Sequence, residues 1–313
     1  NMAPAIQCAL VENSPVIFLS GQRARVTEQR VRRGRIQFVK QMPLFENSVK
    51  FAASIEYADQ TDEVIREAIR KSMGGTPGPS YIEYPSHIIL EELDLPAPLT
   101  PDRYRLVNQG ADIDRVHEAA KLIREAKNPI LLVGHGVHTS RSGDAVRELA
   151  LLMNCPVIQT SGGTSYIKGI EDRTFQYVFS DASIEAVTES DLVLALGTEL
   201  GEPVHFGKWR YWQKNEAIRK WIYVEQDPSA IGVNRPIDVP LVGDLRGVVP
   251  QLVAALKDTP LAPAPGLAKF MKDGQDELDA LAAESLTKSD GTGDVGIHPA
   301  RLAVEATQAF PKD

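Results

Sequence analysis

One pattern constrains this chain more than any other: a continuous apolar run, a small-residue loop, an amphipathic stretch, and then the same again. "NPILLVGHG" (128–136) leads into "SGDAVRELALLMN" (142–154), which leads into "CPVIQTSGG" (155–163). Further on, "DLVLALGTE" (191–199) and "KWIYVEQDP" (220–228) repeat the apolar run, and "SPVIFLSG" (14–21) and "SYIEYPSHI" (80–88) precede them. A strand with one wet face alternates apolar and polar residues. These runs do not alternate, so helices must cover both faces of a parallel sheet. The expected class is α/β, with a doubly wound parallel sheet at the centre of the chain.

The helical stretches support this. In "DIDRVHEAAKLIREAK" (112–127), Val116, Ala119, Ala120 and Ile123 share one face, and Asp112 is placed to cap the start. "LRGVVPQLVAAL" (245–256) has the same character despite Pro250. "EELDLPAPLTPDRYRLVNQG" (91–110) and "KDTPLAPAPG" (257–266) are Pro-rich and polar, as linkers are. The expected layout is an incomplete α/β domain over 1–92, a linker over 93–110, and a central Rossmann-like domain over 111–258. A second linker and helices follow over 259–313. "LAKFMKDGQDELDALAAE" (267–284) is amphipathic, and the final helical stretch has nothing in the sequence to pack against. Only two convincing strands precede residue 92. Two strands with a few helices cannot cover a sheet on both faces, which leaves a small α+β domain or, as the better reading, part of a longer polypeptide.

Composition excludes several classes. The net charge of −8 disfavours nucleic acid as a partner, and no apolar run reaches the length of a membrane span. Two cysteines, Cys8 and Cys155, are too few for a disulfide framework or a zinc site, so no metal site and a cytoplasmic setting are expected. Ser20 and Ser161 lack the G-x-S-x-G elbow of a hydrolase, and His135 and His138 lack the spacing of metal ligands.

In open α/β sheets ligands dock beyond the carboxyl ends of the strands. "GHGVHTSRSG" (134–143) opens there with Gly134 and Gly136, either an anion-binding turn or a plain tight turn. "LGTELG" (196–201) contributes Gly197 and Thr198. "WIYVEQDPSAIGVNRPIDVPLVGD" (221–244) ends one strand on Glu225 and Gln226 and the next on Gly243 and Asp244. Convergence of glycine and acid at these strand tips points to a nucleotide crevice. The run from Arg23 through Arg25, Arg30, Arg32 and Arg33 to Arg35 is either a solvated loop or a clamp for an anion.

Several of these segments resemble thiamine diphosphate-dependent enzymes of the acetolactate synthase group. "FLSGQ" (18–22) is similar to the family's strand ending "TGQ", and Asn1 stands at the end of its preceding "GPG-x-T-N". "GGTPGPSYIEYPSHI" (74–88) resembles "GRPGPVLVDIPKDV", and "EQDPSAIGVNRPIDVPLVGD" (225–244) resembles "DIDPAEIGKNxPVDVPIVGD". The resemblance covers almost the whole chain. It implies part of a pyrimidine-binding domain followed by a complete central domain, with the catalytic Glu upstream of Asn1 and the magnesium-holding "GDG…N" downstream of Asp313. It also implies a 2-oxoacid lyase or carboligase that works through an enamine, uses thiamine diphosphate and Mg2+, and assembles as a homodimer or homotetramer around a small 2-oxo acid or acyl substrate. This chain alone would then be inactive.

Aligning Lys50 with the family's "RPxTKH" places Gln37 on a substrate-side Gln, with Phe38 where the family has Glu. "QMPLFE" (41–46) is similar to the sulfoacetaldehyde acetyltransferase branch, and an oxalyl-CoA decarboxylase-like member is a further alternative. The resemblance makes Glu225 and Asp244 nucleotide contacts in a domain that holds FAD, ADP or nothing. Glu199 in place of the flavin enzymes' Arg, and the lack of "G-M-H-G" within "FQYVFSDAS" (175–183), argue against FAD. The competing class is a non-catalytic nucleotide-binding module.

Overall fold

The computed structural model describes residues 2–28, 39–94, 96–163, 167–258, 261–292 and 295–310. They form two units: Asn1–Val107 with Gln226–Pro228, and Asn108–Glu225 with Ser229–Asp313.

In the first unit the elements run α1 (Met2–Val11), β1 (Ile17–Gln22), α2 (Arg25–Glu28), α3 (Met42–Phe45), β2 (Phe51–Ser54), α4 (Thr61–Met73) and β3 (Ser80–Pro85). The strands make a parallel sheet in the order β1-β3-β2. The sequence expectation of two strands is corrected to three by β2. "FAAS" is short, sits at an edge and is only half-buried along its length, so it lacks the bulky branched run that marks a strand. The core gathers Ile55, Ala58, Ala68, Ile82 and Ile88 between α4 and the sheet.

The second unit contains α5 (Ile113–Glu125), β4 (Pro129–Val133), α6 (His135–Thr139), α7 (Gly143–Met153), β5 (Val157–Gln159), β6 (Thr174–Gln176) and α8 (Asp181–Glu189). It continues with β7 (Leu192–Leu196), β8 (Lys220–Glu225), β9 (Val239–Val242), α9 (Leu245–Leu256), α10 (Leu267–Leu286) and α11 (Pro299–Ala309). The six strands are all parallel, in the order β6-β5-β4-β7-β8-β9. Every residue of β4 and β7 is buried, because both faces are covered. Leu131 and Val133 face a layer containing Val116 and Ile123 of α5, Leu149 of α7 and Leu252 of α9. Ile130 and Leu132 face the opposite layer, with Phe175, Val187, Trp221, Leu267 and Phe270. Period-two alternation between two apolar layers is what made the strands read as unbroken apolar runs.

Local chemistry sets the helix ends. The Asp112 carboxylate accepts from the N–H groups of Asp114 (3.0 Å) and Arg115 (3.2 Å), capping α5 as its sequence suggested. In α9, Pro250 lies on the exposed side, where water can satisfy the carbonyl its missing N–H leaves open. The Cys155 thiol is fully buried and pushed up to about 12 by that burial, in keeping with a packed small hydrophobe.

α10 is built into the six-stranded unit. Phe270 meets Phe175 edge-on at 5.0 Å, and the two oxygens of Glu277 accept from the N–H groups of Asp181 (3.0 Å) and Ala182 (3.2 Å) at the start of α8. The expectation that the last helix lacks a packing partner is corrected: α11 lies against α10, and Arg301 donates to the Lys288 carbonyl at 2.9 Å. α11 buries no residue fully, so that contact rests on half-buried side chains such as Arg301 and Val304. Among the described residues no helix is long and apolar enough to cross a membrane.

Candidate functional site

The chain lays down β4, β5 and β6 outward in one direction, then returns to place β7 against the other side of β4. The crevice of such a sheet opens beyond the carboxyl ends of the two strands that flank the reversal, here β4 and β7. Gly134 and Gly136 follow β4 and Gly197 and Thr198 follow β7, so the fold brings these four predicted residues together.

Their contacts are backbone to backbone. The Gly134 N–H donates to Leu196 O at 2.9 Å, Gly136 N–H to Gly197 O at 2.9 Å, and Val137 N–H to Gly134 O at 3.2 Å. A Cβ on Gly134 would lie 2.3 Å from Gly197 O, and Gly197 itself has φ +60° with Gly136 Cα 2.7 Å from its would-be Cβ. Only glycine allows this approach, and glycine takes this backbone conformation at least cost. Three N–H groups of this turn, those of Gly134, Gly136 and Val137, are thereby engaged, and α6, at five residues, adds little helix dipole.

Electrostatics at the edge point the same way. The Tyr223 hydroxyl donates to Glu225 Oε2 at 2.7 Å, and its pKa is pushed up by burial first and then by the Glu225 and Glu199 carboxylates. Glu199 is exposed and Glu225 half-buried at this edge. Two carboxylates thus stand at this edge, and they oppose a further anionic group there.

Gly243 and Asp244 follow the last strand. The Gly243 N–H donates to Glu225 O at 2.9 Å. Asp244 caps α9 by accepting from Arg246 N at 2.8 Å and holds the Arg246 guanidinium in a two-pronged pair at 3.0 and 2.8 Å. Gln226 groups with the first unit, where its side chain donates to Met73 O at 3.3 Å. Asn1 and Gln37 lie outside the described residues, as do Arg30, Arg32, Arg33 and Arg35. Arg25 forms an ion pair with Glu56 and donates to Ser54 Oγ at 2.6 Å.

Sequence reasoning missed a polar network on one face of the first sheet. Ser20 and Ser54 are both in register with Glu83 across the three strands. Tyr81 OH donates to Glu83 Oε1 at 3.1 Å, Gln41 Nε2 donates to Gly21 O at 2.9 Å, and Gln41 Oε1 accepts from Ser20 Oγ. Burial pushes the Tyr81 phenol up to about 12. A Glu set within the otherwise apolar "SYIEYP" was the available signal. Among the described residues no group of three or more His, Cys, Asp and Glu could hold a metal ion.

A six-stranded parallel sheet with this reversal, wrapped by helices on both faces, defines a Rossmann-like α/β domain. A family model described as thiamine pyrophosphate enzyme, central domain, matches residues 116–252, which span β4 to β9. The chain is 30% identical over 264 residues to a probable acetolactate synthase large subunit of Methanocaldococcus jannaschii, covering 82% of this chain and 43% of that protein. It is 29% identical to a sulfoacetaldehyde acetyltransferase of Roseovarius nubinhibens, over 83% of this chain and 42% of that protein. It is 25% identical to a 2-hydroxyacyl-CoA lyase of Oryza sativa, over 86% and 47%. The chain therefore belongs to the family of thiamine pyrophosphate-dependent enzymes, and it spans less than half the length of these relatives.

Proposed function

We propose that this chain forms the middle of a thiamine diphosphate-dependent lyase or carboligase that cleaves a 2-oxo acid or 2-hydroxyacyl substrate next to its carbonyl carbon and passes the fragment to an acceptor. The observation that carries this reading is the similarity over 82% of the chain to a probable acetolactate synthase, with an acetyltransferase and a lyase alongside. The bound cofactor supplies the carbanion chemistry, and the protein supplies position and electrostatics. Asn1 and Gln37 are the positions in this chain proposed to approach the cofactor and substrate, with Mg2+ and the diphosphate held by other parts of the protein. A homodimer or homotetramer and a cytoplasmic setting belong to the same proposal.

In this reading the six-stranded domain is chiefly scaffold. Gly134, Gly136, Gly197, Gly243 and Asp244 fix its turns and the start of α9, leaving Thr198 and Glu225 as the positions of this unit from which a nucleotide's sugar could be contacted. The engaged N–H groups and the two carboxylates count against FAD and against the competing reading of a dedicated nucleotide-binding module. The test is turnover by the full-length protein with thiamine diphosphate and Mg2+, offered pyruvate, sulfoacetaldehyde and a 2-hydroxyacyl-CoA. Release of CO2 or of the cleaved fragment from one of them is expected. Inertness toward all three, in a folded protein that binds the cofactor, rejects this substrate class.

A further inference from the structure

The second unit contains a cavity of about 320 Å³ at the amino end of its sheet, opposite to the crevice edge. It lies against the start of β4, five residues or roughly 16 Å from Gly134 at strand rise. Its floor is apolar: Ile130 from β4 with Leu267 and Phe270 from α10. One wall is a face of α8, where Ala182 and Ala186 sit a turn apart and their small side chains leave the space open. The volume lies at the lower end of the range for small-molecule sites.

Around this floor stands a ring of charges. Glu185, Glu189 and Asp273 line it with Lys269; Glu189 is paired with Lys214, which leaves Glu185 and Asp273 against the single ammonium of Lys269. Lys269 Nζ forms an ion pair with Glu185 and another, at 3.1 Å, with Asp273. Glu185 and Asp273 are thus spaced to hold one ammonium between two helices. The Lys269 side chain is 58% exposed, so it can turn into water and give up that position. An anionic ligand would face an excess of carboxylates, and a neutral one would leave the ring unused.

We propose that this cavity binds a small amphiphilic amine, its apolar body on Ile130, Leu267 and Phe270 and its ammonium between Glu185 and Asp273 in place of Lys269. Because α8 and α10 each contribute one of these carboxylates, an occupant bridges the two helices and holds α10 on the sheet.

The test uses the whole protein and three probes of one shape: 2-phenylethylamine, 2-phenylethanol and phenylacetate. The amine is expected to raise Tm by about 3 °C at ten times its Kd and to slow hydrogen exchange in α10. Lys269→Ala, which removes the competing ammonium, is expected to tighten amine binding about 3- to 10-fold. Ala186→Trp, which fills the cavity, is expected to abolish it while leaving cofactor binding intact. The inference is overturned if the amine fails to bind both the wild type and Lys269→Ala. It is also overturned if phenylacetate binds as tightly as the amine, or if Ala186→Trp binds the amine as the wild type does.

Discussion

The Tyr223 hydroxyl and the Glu225 carboxylate, two residues apart on β8, are joined by a 2.7 Å hydrogen bond at the carboxyl edge of the central sheet. Tyr223→Phe removes the donor and is expected to destabilise the protein by about 1 kcal/mol at neutral pH, read by urea denaturation. A variant as stable as the wild type would show that the bond contributes nothing net.

The same pair has a pH signature. Burial raises the phenols of Tyr223 and Tyr177 above the ordinary 10.0, pushes Tyr81 up to about 12, and pushes the Cys155 thiol up to about 12 from 9.0. A group with a raised folded pKa holds its proton in the folded chain after the unfolded chain has lost it. Its contribution is therefore intact below the unfolded value and is lost as pH rises through the folded one. Stability is expected to begin falling near pH 9 and to fall more steeply beyond pH 10. Tyr223→Phe and Tyr177→Phe should each flatten that fall, which denaturation midpoints taken across the alkaline range will show.

Gly134 is the tightest point of the crevice turn. A methyl group there would lie 2.3 Å from Gly197 O, so Gly134→Ala is expected to destabilise by roughly 3 kcal/mol or more. Gly143→Ala, at the start of α7 with nothing within 4 Å of the new methyl, is the matched control and should change stability by less than about 0.5 kcal/mol. Equal effects would dismiss the close approach of the two turns.

Arg235 is a buried cation held by geometry. Its guanidinium lies 3.9 Å from the centre of the Trp221 ring, donates to the Gly207 carbonyl and meets Glu216 at 3.2 Å. Lysine keeps the charge but cannot stack or fork, so Arg235→Lys is expected to cost about 1–3 kcal/mol. Tryptophan fluorescence during denaturation reports it directly, since Trp221 is the stacking partner.

How much of this was legible follows from what each segment buries. Asp112 announced the start of α5, and "LRGVVPQLVAAL" gave α9 at its observed limits, because caps and apolar stripes are local signals. β2 and the three-residue β6 were missed, since short edge strands carry little pattern of their own. α8 was missed although Ser180 and Ser183 cap each other at its start. At the crevice, the sequence set these glycines after strand ends but left open whether their N–H groups face a ligand or a carbonyl. That depends on how closely β4 and β7 bring their turns together, which no local pattern encodes. Of the Tyr81–Glu83 network only the Glu within "SYIEYP" was legible, for a related reason: Ser20, Gln41 and Ser54 join it only through strand register and the return of α3.

The most direct test of membership in a working thiamine diphosphate enzyme is calorimetric titration of the full-length protein with thiamine diphosphate in the presence of Mg2+. Saturable binding near one cofactor per chain, lost on chelating the metal, is the expected result. A folded protein that takes up no thiamine diphosphate would contradict it.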